Sequence, residues 1–351
     1  MLKKLINFPI TISVVLLLSI GVLVIYSSSK TLATQQFIFA ATGITFFVFI
    51  SQLNYLEVKS IVKGAYILTI LLLILVLFLG FETRGSIRWI PLGAFNIQPS
   101  EFAKPVIILF LASFWAKTKP AWSNILKSIL ILLPVIFLVF EQPDLGTTMT
   151  ISAIWFGVLF ASRVSLKKIL MVLIFTSLSL PLFWFTIHDY QRSRITSFLS
   201  PESDPLGVGY NLIQSTIAVG SGQLFGRGLG YGTQSRLQFL PEYRTDFIFA
   251  AIAEEFGFLG SVLILGIYSF LIGYCFKIAG SADYLGSLLV TGVAVMLIFQ
   301  VAVNIGMNIG LLPITGITLP LISYGGSSLI ATMISLGLVA SVAKVKRKEV
   351  P

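Results

Sequence analysis

The sequence predicts an all-α polytopic membrane protein of ten transmembrane helices, with both termini cytoplasmic and one long extracytoplasmic loop between spans 7 and 8. Three observations predict it. Of 351 residues, 56% are hydrophobic and only 11% charged, against about 25% charged in ordinary soluble domains. Ten apolar runs approach the roughly 20 residues that a membrane crossing needs, at 9–27, 34–53, 62–81, 98–117, 123–140, 145–162, 166–186, 247–277, 284–308 and 321–344. Basic residues then alternate between the two sides. With both ends inside, 15 of the 24 Lys and Arg fall on inner segments, while the short outer loops hold only Lys30, Arg84 and Arg88. That asymmetry is the one that orients membrane helices.

The first run follows Lys3 and Lys4 and exceeds a signal-peptide core in length, so it reads as an uncleaved anchor. The longest segment between spans is 188–245, which makes 1–351 a single integral membrane domain. One cysteine, Cys275, leaves no internal disulfide, and one histidine, His188, leaves nothing from which to build a zinc site. The net charge of +10 reflects topology and attraction to anionic membrane lipid rather than nucleic acid. Acids are distributed the other way. Only Glu57, Asp283 and Glu349 fall inside, and the other 11 of 14 lie on the outer face or in the outer half of a span. Orientation does not require this, because acids contribute little to it. Chemistry at the outer face does.

Five segments hold residues suited to chemistry. The loop after the third span, Phe81 to Gln98, holds Arg84, Arg88 and Trp89 and leads into Pro99-Ser100-Glu101-Phe102-Ala103-Lys104. Pro99 suits a first helical position, and Glu101 is placed to reach back to a Gln98 cap. Lys104, a turn inside a span, needs an anion. Glu101 one turn earlier supplies one, and a bound phosphate is the other reading. Arg84 and Arg88 suit lipid phosphate, and Trp89 suits an interfacial anchor. Next, Glu141-Gln142-Pro143-Asp144 puts Asp144 where it caps the following helix.

The long loop contains a short amphipathic stretch at 210–219 and then six glycines between Gly220 and Gly232, with Arg227 among them. That backbone either forms a nest of N–H groups for phosphate or folds back tightly on the membrane. It ends in Leu240-Pro241-Glu242-Tyr243-Arg244-Thr245-Asp246. Thr245 or Asp246 can cap the next helix, while Glu242 reads as a solvated loop charge. A carboxylate at a bilayer boundary is nonetheless costly enough to suggest function. Asp246, Ala250, Ala253, Gly257 and Gly260 share one helical face, which turns Asp246 toward other helices. Glu254 and Glu255 point elsewhere and should meet different neighbours. Finally, Gln300, Asn304 and Asn308 recur every four residues, as interhelical hydrogen bonds or as a cavity wall. The broken segment Gly310 to Ser328 must be buried or line a cavity.

Taken together, Arg88-Trp89-Ile90, Gln98 to Lys104, Gln142-Pro143-Asp144-Leu145-Gly146-Thr147, Leu240-Pro241-Glu242, Thr245 to Ala250 and Ser323-Tyr324-Gly325-Gly326 resemble the SEDS family of shape, elongation, division and sporulation proteins. Phe239 to Arg244 is more similar to its elongation member than to its division member. The resemblance implies a peptidoglycan glycosyltransferase in the bacterial cytoplasmic membrane that polymerises lipid II into β-1,4 glycan on the outer face. It implies a class B penicillin-binding transpeptidase as partner and a catalytic acid at Asp246, with importance for Glu101, Lys104 and Asp144. On that reading Asp246 is the general base of an inverting transfer. Lys104, Arg88, Arg84 and Arg227 stabilise the leaving pyrophosphate, Glu101, Asp144 and Glu242 complete the site, and a divalent cation such as Mg or Mn is an optional aid. A lipid II flippase is the alternative, and a non-catalytic scaffold for a transpeptidase is another.

Overall fold

Every one of the ten apolar runs folds as helix, since a chain in hydrocarbon must satisfy its backbone internally. The computed structural model describes residues 7–83, 86–92, 95–186, 189–205, 207, 209–237 and 239–349. Its helices are α1 (Phe8–Ser28), α2 (Lys30–Gln52), α3 (Tyr55–Val58), α4 (Val62–Leu79), α5 (Pro99–Trp115), α6 (Trp122–Glu141) and α7 (Leu145–Ala161). Then come α8 (Leu166–Thr186), α9 (Asp189–Leu199), α10 (Tyr210–Ser221), α11 (Thr233–Arg236), α12 (Ile248–Ala279), α13 (Tyr284–Asn308) and α14 (Gly326–Glu349). A 3₁₀ turn makes α3 and α4 one run, Tyr55–Leu79.

Among the described residues, seven helices are long and apolar enough to cross a membrane, and the chain is an integral membrane protein. α5 and α7 have 17 residues each, about 25 Å at the helical rise, short of the roughly 30 Å hydrocarbon core. α13 and α14 form the centre. Their apolar windows are 72% buried, against 22–44% for the other crossing helices. α2 packs along α14, while α5, α7 and α12 pack around α13. The perimeter leaves Phe8, Phe37, Phe78, Phe137 and Phe175 exposed, as a surface solvated by lipid requires.

One element departs from an all-α reading. Residues 81–97 form a three-stranded antiparallel sheet, β1 (Phe81–Thr83), β2 (Ser86–Leu92) and β3 (Phe95–Ile97), in the order β1-β2-β3. Its register sets Phe81 opposite Trp89 and Ile90 opposite Ile97. Two residues with a glycine, Arg84-Gly85 and Gly93-Ala94, separate the strands in sequence. That spacing is a hairpin signal, overlooked because each outer strand is only three residues long.

The stretch from α10 to α12 shows why the loop is rich in glycine. α12 is broken at Gly257, with φ 68° and ψ −162°. The freed amides of Phe258 and Leu259 donate instead to the carbonyls of Gln223 and Leu224, at 2.8 and 3.2 Å. Arg227 and Gly228 in turn donate to the carbonyls of Glu254 and Glu255. The loop thus wedges into the break, and a Cβ on Gly257 would stand 2.3 Å from the Gly226 nitrogen. Gly257→Ala is therefore expected to cost about 1–3 kcal/mol in backbone strain alone. Thermal unfolding of the detergent-solubilised protein checks this, and an unchanged midpoint would show that the wedge does not form.

Candidate functional site

Four parts of the fold bring the distant polar segments together. The sheet carries Arg88 and Trp89, the first two turns of α5 carry Glu101 and Lys104, the N-cap of α7 is Asp144, and the approach to α12 carries Glu242 and Asp246. All seven line one cavity of about 450 Å³, closed by Arg194, Gln300 and the broken segment from Gly316 to Ser328. Trp89, expected as an interfacial anchor, is part of its wall.

Lys104 and Glu101 form a buried ion pair at 2.6 Å, their side chains 2% and 9% exposed. Glu101 therefore turns forward to Lys104 and not back to Gln98, so the expected capping box is not made. The Gln98 backbone N–H instead donates to Ser327 Oγ at 3.0 Å. Asp144 does cap its helix, accepting the Thr147 N–H at 3.0 Å. Its second oxygen accepts Gln98 Nε2 at 2.8 Å and Ser100 Oγ at 3.2 Å, which ties the start of α7 to the start of α5. Arg88 donates to the carbonyls of Gln142 and Pro143 and stands 3.9 Å from Asp144. Its guanidinium is thus fixed at the cavity rim.

Asp246 is held through its backbone. Asn304 and Asn308 both donate to its carbonyl, at 2.9 and 3.0 Å. Ser323 Oγ donates to the preceding Thr245 carbonyl at 2.6 Å, and the Tyr324 amide to that of Arg244 at 2.8 Å. Neither Thr245 nor Asp246 occupies the N-cap position of α12. Its N-cap is Phe247, without a side-chain bond, and Thr245 Oγ1 is engaged with Glu242 Oε2 at 3.0 Å. The cap comes from another helix, because Asn308 Oδ1 accepts the Ala250 N–H at 3.0 Å. The polar row on α13 thus takes both expected roles. Asn304 and Asn308 bond across helices, and Gln300 lines the cavity.

Two expected participants fall elsewhere. Arg227 is exposed and outside the cavity, its Nε on the Ser221 carbonyl at 3.3 Å. The glycine-rich amides around it meet carboxylates of the protein itself. Gly230 N–H donates to Glu255, and Gln234 N–H to Glu254. The two acids do meet different neighbours, Glu255 also accepting Ser27 Oγ of α1 at 2.8 Å and Glu254 the Thr233 hydroxyl at 3.3 Å, and the break at Gly257 lets the loop reach each of them. Arg84 lies outside the described residues. Arg194 was not singled out by sequence. It sits on α9, donates to the Ile314 carbonyl at 2.9 Å, and stands beside Asp246. A Cβ on Gly316 would lie 3.6 Å from both Arg194 Nη1 and Asp246 Oδ2. Nothing in its local sequence separates it from the other loop arginines.

A cavity with fixed cations on one wall and a braced carboxylate on another suits transfer of an anionic, phosphate-bearing group, and comparison with known proteins names the family. Residues 2–348 match the model of the FtsW, RodA and SpoVE cell cycle proteins, and the chain belongs to that family. The peptidoglycan glycosyltransferase MrdB of Escherichia coli (strain K12) is 42% identical over 307 residues, covering 86% of this chain and 83% of that protein. Among solved structures, a chain of a peptidoglycan synthase complex that coordinates polymerization and crosslinking superposes with a TM-score of 0.84. It is 31% identical and covers 98% of this chain and 99% of that one. The rod shape determining protein RodA of Thermus thermophilus gives 0.73 at 30% identity, covering 98% of each chain. The chain is accordingly a glycosyltransferase of this family.

Two substitutions separate support from chemistry. Lys104→Met strands the buried Glu101 charge and should cost about 3–5 kcal/mol. Glu101→Leu with Lys104→Met should recover most of the lost thermal stability, and no recovery would mean that Lys104 is held by something other than Glu101. Asn308→Ala removes both the α12 cap and a brace on Asp246. Turnover should fall by roughly 10- to 100-fold through misplacement with KM little changed, and full activity would remove Asn308 from the positioning role.

Proposed function

We propose that this chain is a peptidoglycan glycosyltransferase of cell elongation, polymerising lipid II into β-1,4 glycan strands with Asp246 as general base. One observation carries the reading. Six residues named from sequence alone, Arg88, Glu101, Lys104, Asp144, Glu242 and Asp246, line a single cavity. The reaction accounts for each type. The acceptor is a sugar hydroxyl, and the attacked carbon bears an α-linked pyrophosphate. Forming a β bond inverts that carbon, so one backside attack and one base suffice.

Asp246 takes the hydroxyl proton as the new bond forms. The oxygen–carbon bond to pyrophosphate breaks on the opposite side, and the charge that leaves is met by Lys104, Arg88 and Arg194. Asp144 aims Arg88 and joins α5 to α7, and Glu242 holds the turn that delivers Asp246. The divalent-cation expectation meets a different donor set. Among the described residues no three His, Cys, Asp or Glu side chains gather, and Glu101 and Asp144 are committed to Lys104 and to Gln98 and Ser100. These residues do not fit a protein-built metal site.

In this reading α5, α7 and α8 complete ten spans in the bacterial cytoplasmic membrane, both termini are cytoplasmic, and the cavity faces outward. The lysine distribution supports that orientation. The partner is a class B penicillin-binding transpeptidase, supported by the likeness to a chain of a synthase complex. A flippase is disfavoured because the cavity residues come from the starts of α5 and α7 and the approach to α12, at one end of the bundle, rather than from along a path through it.

The test is labelled lipid II given to the purified protein, alone and with its partner. Wild type should make polymer, whereas a folded Asp246→Asn variant should lose at least about 100-fold of its rate, the scale of a lost general base. Equal polymer from both would end the base assignment. Translocation in vesicles without polymer would instead establish the flippase.

A further inference from the structure

A second pocket lies at the other end of α5, far from Asp246. It holds about 750 Å³ and is walled by Lys59, Lys63, Lys117, Phe110, Phe114 and Ser113, among others. We propose that it binds the phosphate-bearing headgroup of an anionic phospholipid.

The cations come first. Lys59 and Lys63 are four residues apart on one helical run, a like-charge spacing that is unfavourable by itself. Lys117 faces the same pocket from the end of α5. Among the described residues none of the three makes an ion pair. A bias of lysine toward one side of a membrane explains why lysines lie at this end of the bundle. It does not explain why three of them surround one concavity.

The second observation is independent of charge. Ser113 is 8% exposed, and its Oγ has no hydrogen-bond partner among the described residues. Most helical hydroxyls among the described residues bond back to a carbonyl about one turn earlier, as Thr69 and Thr150 do. A buried hydroxyl left unpaired is costly, and a phosphate oxygen in the pocket would satisfy it.

The third is the setting. Phe110 packs on Tyr66, with centroids 4.8 Å apart, and Tyr66 donates to the Ile131 carbonyl at 2.5 Å, closing the gap between α4 and α6. Beyond that gap the outward faces of the two helices are bare hydrocarbon, with Ile67, Leu68 and Leu71 on α4 and Leu126, Leu130 and Leu133 on α6 all exposed. A ligand with an anionic head and apolar chains matches this sequence of surfaces. A free phosphate matches only the head.

Native mass spectrometry of the full chain in neutral detergent tests this, with phosphatidylglycerol, phosphatidylcholine and inorganic phosphate as probes. Wild type should retain phosphatidylglycerol in preference to phosphatidylcholine. Lys59→Gln/Lys63→Gln/Lys117→Gln should bind it roughly 100-fold more weakly, the product of three surface lysines. Ser113→Ala should weaken it in part. The charge-matched Lys167→Gln/Lys168→Gln/Lys277→Gln should bind as wild type does, and unfolding midpoints confirm that each variant is folded. Equal loss in both triple variants would reduce the effect to the general field of the protein. Equal retention of the two lipids, or displacement by inorganic phosphate, would overturn the lipid assignment.

Discussion

The site depends on a pair of asparagine amides. Asn304 and Asn308 share the Asp246 carbonyl, and Asn308 also fills the end of α12. A helix that begins at the membrane boundary has unpaired amides at its start. Side chains near its own N-terminus usually serve them. Here a buried helix, α13, serves one of them, and the result is geometric coupling. The segment before α12 cannot shift without breaking bonds to the most buried part of the bundle. A reactive carboxylate on a loop thereby acquires the rigidity of the core.

The opposite wall is fixed by a different device. Glu101 and Lys104 lie one turn apart in the first two turns of α5, where water is scarce and each charge alone would be expensive. Together they make a pair that is both cation source and structural strut. Asp144 then acts as a junction, with one oxygen on its own helix and the other on the turn before α5. Three separate stretches of chain are thus registered by a few buried polar contacts, and the low dielectric makes each contact demanding of its partner.

Much of this was legible in the sequence. Hydrocarbon thickness dictates how long an apolar run must be, so all ten helices could be located. Charges inside such runs are rare and need partners, which made Lys104 and Glu101 conspicuous, while Asp144 stood out as a cap in the short link between two runs. Asn308 as a remote cap was not legible. Its contact spans 58 residues of chain, and a four-residue polar spacing fits several roles. Arg227 misled because glycine-rich backbone suggests anion binding whether the anion is a ligand or, as found, Glu254 and Glu255. Arg194 was one arginine of several in a long loop, and only the fold of α9 brings it beside Asp246. The sheet at 81–97 was missed because its outer strands are too short to show alternation.

The shortness of α5 and α7 has a physical consequence for the bilayer. On the proposed ten-span reading, helices of about 25 Å in a core of roughly 30 Å require the surrounding lipid to thin or the helix ends to sink. Both helices begin at the cavity, so the mismatch falls there. A depressed membrane surface at that point brings headgroup-level phosphates down to the level of Lys104 and Asp246. The lipid-linked substrate of the proposed function can then stay in its leaflet while its polar end enters the cavity, and the bundle need not lift a long apolar chain toward water to reach it.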